Sequence, residues 1–284
     1  MSTGRLYRYA AFTTTPRGGN PAGVWVGDAL PDPATMQRIA AEVGYSETAF
    51  IAPASGFART VRYYSPQAEV PFCGHATIAS GVVLAEREGD GTYRLATSVG
   101  EVPVEVRTRD GGSGEREAAL TSVAPRHERA GGTLVDGALA ALRWSRADLD
   151  PSLPPARAYA GAWHLVLAVR QRARLAALDY DFEALLRLML ADGLTTLQLT
   201  WRESDRVFHA RDPFPVGGVV EDPATGAAAA ALGGYPRDAG IVVPRASLTI
   251  HQGVDMGRPS RISVDIPPGG GIVVRGAAVA MEPG

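Results

Sequence analysis

The sequence predicts an α+β protein of two pseudo-symmetric halves, and three observations support this fold class. The segments EVPFCGHATIAS (69–80) and EDPATGAAAAAL (221–232) share Glu, Pro and Gly at the same three positions, 152 residues apart. Strand patterns outnumber helix patterns in both halves of the chain. Each shared glycine opens a run of small apolar residues, which fits a helix that strands surround on all sides.

The first half reads as seven strands and two helices. Aromatic and β-branched residues bounded by Gly and Pro predict the strands. These cover residues 5–12, 22–27, 47–54, 60–65, 92–98, 101–108 and 116–123. Asp32 as N-cap, Pro33 at the first helical position and Gly44 at the end predict one helix. The second begins after Gly74, and residues 111–115 (GGSGE) predict a flexible hairpin tip.

The second half repeats this order. Strands are predicted over residues 162–169, 194–201, 206–211, 247–253, 261–266 and 271–281. Apolar residues at helical spacings predict a helix over residues 181–193, and another follows Gly226. The proline-rich segment 148–159 is typical of a linker. The predicted division is an N-terminal half over 1–124, a linker region over 125–160 and a C-terminal half over 161–284.

Composition excludes several classes of protein. The chain has 284 residues, 45% hydrophobic and 20% charged, which indicates a globular protein with an ample core. The net charge of −2 without a basic stripe argues against nucleic acid as a partner. All 28 basic residues are arginine, which excludes a Schiff-base lysine and a phosphate-loop lysine. The single cysteine excludes an internal disulfide and a cysteine-rich zinc site.

Neither a secretory signal nor a membrane span is expected. The N-terminal residues MSTGRLYRYAAF contain no apolar h-region. No run approaches the roughly 18 apolar residues of a membrane span. A cytoplasmic protein without membrane contact is therefore expected.

The repeated motif points to anion binding. A glycine at the start of a helix lets a ligand approach the backbone, and the first helical N–H groups have no partner within the helix. Together with the helix dipole, these groups bind carboxylate or phosphate. Two facing halves would direct two such helix ends into one cleft, where a small anionic substrate is expected.

The residues at the two motif tips select among reaction types. Cys73 has only Thr225 at the corresponding position of the second motif, and a threonine hydroxyl does not replace a thiolate, so a two-thiol racemase is disfavoured. His75 and Asp222 provide ionisable groups instead. Glu47, in YSETAF, has apolar neighbours, so its carboxyl is expected to be partly buried, which suits proton transfer near neutral pH.

These motifs resemble those of the PhzF family of phenazine-biosynthesis isomerases, whose fold is similar to that of diaminopimelate epimerase. The resemblance lies in GNPAG (19–23), SETAF (46–50), EVPFCGHAT (69–77), EDPATG (221–226) and QGVDMGRPSRI (252–262). It implies that each half is a β-sheet curled around a central helix and that the site lies in the cleft between the halves. It also implies a homodimer that uses no metal and no organic cofactor.

The resemblance assigns roles to residues of this chain. It implies that Glu47 takes a proton from one carbon and returns it to another, while His75 and Asp222 hold and polarise the substrate. The implied substrate-binding residues are Asn20, Ser46, Cys73, Gly74, Gly226, Ala227 and Gly253. Many family members have serine where this chain has Ala227, which points to a different substrate from the phenazine precursor. Cys73 is interpreted as a residue that packs beside the site.

The function expected from the sequence is a cofactor-independent isomerase that moves a proton within a small unsaturated carboxylate or amino acid. A role in natural-product biosynthesis is the expected setting. Two alternatives remain open: epimerisation at an α-carbon with Glu47 and a second acid, or a ligand-binding or interaction module without catalysis. Product chirality and absorbance would separate the two reactions, because only isomerisation moves a double bond.

Overall fold

The computed structural model describes residues 3–54, 57–109 and 114–282. Most of the predicted hairpin tip at 111–115 lies outside these residues. The chain divides into two compact units, Met1–Thr121 with Arg275–Gly284, and Ser122–Val274. Each unit combines strands and helices, as the sequence predicts.

Two helices and nine strands contribute to the first unit. They are β1 (Gly4–Ala11), β2 (Asn20–Gly27), α1 (Pro33–Val43), β3 (Glu47–Pro53), β4 (Ala58–Tyr64), β5 (Glu69–Val70), α2 (Gly74–Glu88), β6 (Gly91–Thr97), β7 (Gly100–Thr108), β8 (Arg116–Thr121) and, from residue 275 onward, β17 (Val273–Ala280). Eight of these strands pair in the closed order β17–β1–β2–β3–β4–β6–β7–β8 and back to β17. The short strand β5 pairs with β4.

Helix α2 lies inside the ring of strands. Residues 75–85 of α2 are all buried, whereas an ordinary surface helix exposes one face. Gly81 permits this close packing, because a Cβ there would lie 2.8 Å from Val104 Cγ1.

Helix α1 packs on the outside of this ring. Asp32 accepts a hydrogen bond from the Thr35 amide at 3.0 Å, and Gly44 ends the helix at φ 71°, which confirms the predicted cap and stop. Met36 and Ala40 of α1 join an apolar cluster with aromatic side chains of β2, β3 and β4. Along β2, β3 and β4, period-2 alternation thus supplies both an inner and an outer apolar face.

The second unit has its own sheet and helices. They are β9 (Arg126–Arg129), α3 (Gly132–Leu142), β10 (Ala156–Tyr159), β11 (Trp163–Val169), α4 (Arg172–Ala176), α5 (Phe182–Asp192), β12 (Thr196–Arg202), β13 (Val207–Phe214), β14 (Val219–Asp222), α6 (Gly226–Asp238), β15 (Ala246–Gln252) and β16 (Ser260–Ile266). The strands pair in the order β9–β10–β11–β12–β13–β15–β16, and β14 pairs with β13 beyond that row.

Helix α6 is the central helix of the second unit. Residues 228–236 are buried, and Gly233 repeats the role of Gly81, since a Cβ there would lie 2.8 Å from Val264 Cγ1. These two glycines are 152 residues apart, the same spacing as the motifs. On the other face of the sheet, α3 and α5 pack with β11 and β12 in a second apolar cluster.

The two compact units differ from the predicted linker and C-terminal boundary. Residues 125–160 contain β9, α3 and β10, and all of them belong to the second unit. Residues 275–284 belong to the first unit, where β17 pairs with β1. The prolines in 148–159 lie in the connection between α3 and β10. Within the described residues, no helix has the length and apolar character needed to cross a membrane.

Candidate functional site

The first candidate site surrounds the N-terminus of α2. Cys73 is the N-cap residue, with an extended backbone (φ −143°, ψ 115°), and Gly74 begins the helix. His75 follows within the first turn and is 7% exposed. The motif EVPFCGHAT therefore places a thiol and an imidazole beside the unpaired N–H groups of a helix whose body is buried.

Glu47 reaches the same place from the sheet. It is the first residue of β3, which pairs in parallel with β2. Its side chain is 18% exposed, in keeping with the partial burial predicted for it. Its Oε2 atom lies 3.4 Å from Cys73 Sγ and 3.4 Å from His75 Nε2. Three side chains from two separate motifs thus converge on one point.

Two further predicted residues contact the His75 ring. Asn20 Nδ2 lies 3.2 Å from Nδ1, and Ser46 Oγ lies 3.4 Å from Nε2. When Asn20 donates to Nδ1, a neutral ring carries its proton on Nε2, the nitrogen that faces Glu47. Asn20 is 2% exposed, so this contact fixes the ring orientation in a buried setting.

Cys73 contacts two ionisable side chains, which goes beyond the packing role expected from the sequence. Its Sγ lies 3.4 Å from Glu47 Oε2 and 3.4 Å from His75 Nδ1. The thiol can donate a weak hydrogen bond to the carboxylate. Cys73 is therefore a direct neighbour of both ionisable groups, a relation that strand and helix patterns do not reveal.

The second candidate site surrounds the N-terminus of α6. Asp222 ends β14 and is 9% exposed. Its Oδ2 accepts a hydrogen bond of 2.6 Å from the hydroxyl of Thr225, the N-cap residue of α6. Gln252 joins them: its amide nitrogen donates to the Asp222 carbonyl at 2.8 Å, and its oxygen accepts from the Thr225 amide at 3.2 Å.

The remaining predicted residues of this unit shape the backbone. Gly226 and Ala227 form the first turn of α6 and are partly exposed. Gly253 follows β15 at φ 72°, and a Cβ there would lie 2.3 Å from the Arg258 carbonyl oxygen. The position therefore requires glycine for backbone reasons.

A repeated ion pair supports each motif. Glu69 pairs with Arg62 across β4 and β5, and Glu221 pairs with Arg211 across β13 and β14. Both arginines use two nitrogens, the arrangement that fixes a carboxylate in one orientation. The glutamates common to the two motifs therefore hold their turns.

A buried carboxyl that sequence reasoning missed lies beside Asp222. Asp212 is fully buried on β13 and lies opposite Asp222 in the pairing with β14. With the Gln198 amide oriented so that its nitrogen faces Asp212, this nitrogen donates to both Asp212 oxygens at 3.0 Å. Burial raises the pKa of the Asp212 carboxyl well above its usual range, and the charges of Asp222 and Glu221 act in the same direction. The sequence signal that could have revealed Asp212 is the alternation of inward-facing residues along β13.

The structure thus gathers the predicted residues in two groups, one in each unit. The first contains Asn20, Ser46, Glu47, Cys73, Gly74 and His75, and the second contains Asp222, Gly226, Ala227 and Gly253. The expectation that the two helix ends share one cleft stays a prediction. Among the described residues, Glu47, Cys73 and His75 are the group whose donor atoms suit a metal ion, with all three atoms within 4.8 Å of one another.

Comparisons with known proteins identify relatives of the whole chain. The profile described as phenazine biosynthesis-like protein (PhzC-PhzF) matches residues 9–284. An uncharacterized isomerase of Deinococcus radiodurans is 34% identical over 273 residues, which cover 92% of this chain and 86% of the relative. The trans-2,3-dihydro-3-hydroxyanthranilate isomerase of Pseudomonas fluorescens is 30% identical over 254 residues, 88% of this chain and 86% of the relative.

A solved structure supports the fold. The PhzF-family phenazine biosynthesis protein of Bacillus anthracis superposes with a TM-score of 0.86 at 24% identity, over 99% of this chain and 98% of that chain. The fold and the named relatives define an isomerase. The chain belongs to the PhzC-PhzF family of phenazine biosynthesis-like proteins.

Proposed function

We propose that this isomerase moves a proton between two carbons of a small unsaturated carboxylate or amino acid, with Glu47 as the shuttle. The observation that carries the proposal is the convergence of Glu47, Cys73 and His75 at the N-terminus of the buried helix α2, with contacts of 3.4 Å from the carboxylate to each neighbour. A positioned carboxyl in a partly dehydrated site is suited to general acid–base catalysis.

The proposed step is balanced in atoms and electrons. The Glu47 carboxylate takes a proton as a C–H bond breaks, and the electron pair moves into the adjoining double bond. The protonated Glu47 then gives the proton to a second carbon, which restores the carboxylate and leaves the double bond moved. His75, whose ring is held by Asn20, is proposed to hold and polarise the substrate.

Helix N-termini are proposed to bind the substrate carboxylate. The first N–H groups of α2, around Gly74 and His75, and those of α6, around Gly226 and Ala227, have the required partial positive charge. Asp222, held by Thr225, is proposed to orient the substrate further. Ala227 offers no hydroxyl, so the substrate is proposed to differ from that of relatives with serine at this position.

Epimerisation at an α-carbon is less well supported by the local geometry. Inversion needs an acid and a base on opposite faces of one carbon, each about 3–3.5 Å from it, and hence about 6–7 Å apart. Cys73 Sγ is only 3.4 Å from Glu47 Oε2, so these two groups lie on the same side of any substrate carbon. An epimerase would need its second acid from another element.

The family description supports a role in natural-product biosynthesis, and trans-2,3-dihydro-3-hydroxyanthranilate is the first compound to test. The assay follows the change in absorbance that accompanies double-bond movement, and deuterium incorporation in heavy water. A homodimer in the cytoplasm is part of the proposal. Light scattering that shows only a particle of 29.8 kDa would contradict the dimer.

Glu47→Gln tests the shuttle directly. The amide keeps the shape of the side chain but does not carry a proton, so turnover is expected to fall by about 10²–10⁴ with little change in substrate binding. Deuterium incorporation from solvent is expected to fall in parallel.

Glu69→Gln is the matched control, because Glu69 carries the same functional group in the same unit and pairs with Arg62 instead. It is expected to retain near wild-type turnover. Near wild-type turnover in Glu47→Gln would refute the assignment of the base. Loss of turnover without loss of binding in Asp222→Asn would then identify Asp222 as the candidate.

A further inference from the structure

The donor atoms of Glu47, Cys73 and His75 form a set that zinc uses. Zinc sites in proteins are built from cysteine sulfur, histidine nitrogen and carboxylate oxygen. The three donors here lie within 4.8 Å of one another, and each side chain is at least partly buried. Magnesium and calcium prefer all-oxygen sites, so the thiol and the imidazole favour a thiophilic divalent cation.

The distances among the donors match one face of a zinc tetrahedron. Typical zinc bond lengths and tetrahedral angles require separations of about 3.6 Å for S–N, about 3.5 Å for S–O and about 3.4 Å for N–O. The observed separations are 3.7 Å from Cys73 Sγ to His75 Nε2, 3.4 Å from Sγ to Glu47 Oε2, and 3.4 Å from Nε2 to Oε2. The separations therefore suit a shared ion, and coordination requires the His75 ring to turn, because Sγ also lies 3.4 Å from Nδ1.

The second nitrogen of the histidine ring has a polar partner. Metal-binding histidines usually present their second ring nitrogen to a polar partner, which fixes the ring. Asn20 Nδ2 lies 3.2 Å from Nδ1, and Cys73 Sγ also lies 3.4 Å from this nitrogen. The Asn20 amide nitrogen can only donate, so zinc ligation through Nε2 requires the Asn20 amide to turn until its oxygen accepts the ring proton from Nδ1.

We propose that Glu47, Cys73 and His75 bind a zinc-class cation that inhibits the enzyme. As the ion binds, the Cys73 S–H bond breaks, a metal–sulfur bond forms and the proton passes to the buffer. Coordination also occupies the Glu47 carboxylate, which then cannot accept a proton from a carbon. The inhibition rests on the proposed function, whereas the binding does not.

Cobalt(II) is the spectroscopic probe for this site. After dialysis of the full chain against a chelator, one equivalent of cobalt(II) is expected to give a thiolate-to-cobalt absorption band with the visible bands of tetrahedral cobalt. The chain contains one cysteine, so the thiolate band reports on Cys73 alone. Zinc is expected to displace cobalt, and Cys73→Ser is expected to lose the band.

His75→Gln tests whether the imidazole is a ligand. Its cobalt affinity is expected to fall by at least about tenfold, the lower end of the loss seen when an outer partner of a metal ligand is removed. His127→Gln is the control and is expected to bind as the wild type does, because His127 lies on β9 in the other unit. In wild-type protein, zinc is expected to protect Cys73 from alkylation, a result that does not depend on any variant folding.

Absence of the thiolate band, or equal cobalt affinity in His75→Gln and wild type, would overturn the site. Zinc is expected to reduce turnover in proportion to its occupancy, and a chelator is expected to restore it. A cobalt band with unchanged turnover at full zinc occupancy would overturn the inhibition. Failure of the proposed function is seen separately, as full turnover in Glu47→Gln.

Discussion

The Asp212→Asn variant is expected to be increasingly more stable than wild type as the pH rises. Asp212 is fully buried, and the Gln198 amide and the neighbouring Asp222 surround its carboxyl. Burial raises its pKa well above the usual range, so the folded protein keeps the proton over pH values at which the unfolded chain has lost it. Asparagine is nearly isosteric and does not titrate.

The sign and size of the effect follow from proton linkage. A carboxyl with a raised folded-state pKa contributes stability below its unfolded pKa of about 3.9, and this stability is lost as pH rises towards the folded pKa. Over that range, wild type loses about 1.4 kcal/mol per pH unit relative to Asp212→Asn. With a urea dependence of about 1–3 kcal/mol per M, the midpoint difference grows by roughly 0.5–1.4 M per pH unit.

Urea unfolding at pH 5, 6, 7 and 8 measures this difference. Asp205→Asn is the control, because the Asp205 side chain is 92% exposed and is expected to show no such pH dependence relative to wild type. Parallel pH profiles for Asp212→Asn and wild type would refute the reasoning, since they would show that Asp212 titrates alike in the folded and unfolded states.

Two further predictions concern the repeated motif and the central helix, and urea unfolding measures both. Arg211→Met is expected to lower the free energy of unfolding by about 3–5 kcal/mol, because it leaves a buried glutamate unpaired. Arg62→Met, at the more exposed copy of the pair, is expected to lower it by about 0–1 kcal/mol. Equal losses in the two variants would contradict this. Gly81→Ala is expected to add about 1–3 kcal/mol of packing strain against Val104, only partly offset by about 1 kcal/mol of helix propensity. Gly132→Ala, at the start of α3 with nothing closer than 3.8 Å, is expected to be neutral or stabilising, and a similar loss in both would contradict the packing argument.

Local sequence signals were sufficient for most of the elements. The start of α1 at Pro33 and its stop at Gly44 depend on capping interactions within a few residues, and both are as predicted. The helices that begin at Gly74 and Gly226 likewise follow from the motif. Helix α3 lies in the region 125–160, for which no helix or strand was predicted.

The sequence by itself determined the two-fold repetition, the helix starts and the identity of Glu47, His75 and Asp222 as candidates, because each depends on residue type and short spacing. Only the tertiary structure decided that Glu47 meets Cys73 and His75, which lie 26 and 28 residues further along the chain. It also decided that β17 returns to the first unit and that Asp212 is buried beside Asp222. These relations depend on strand pairing between distant segments, and local patterns do not specify which strands become neighbours.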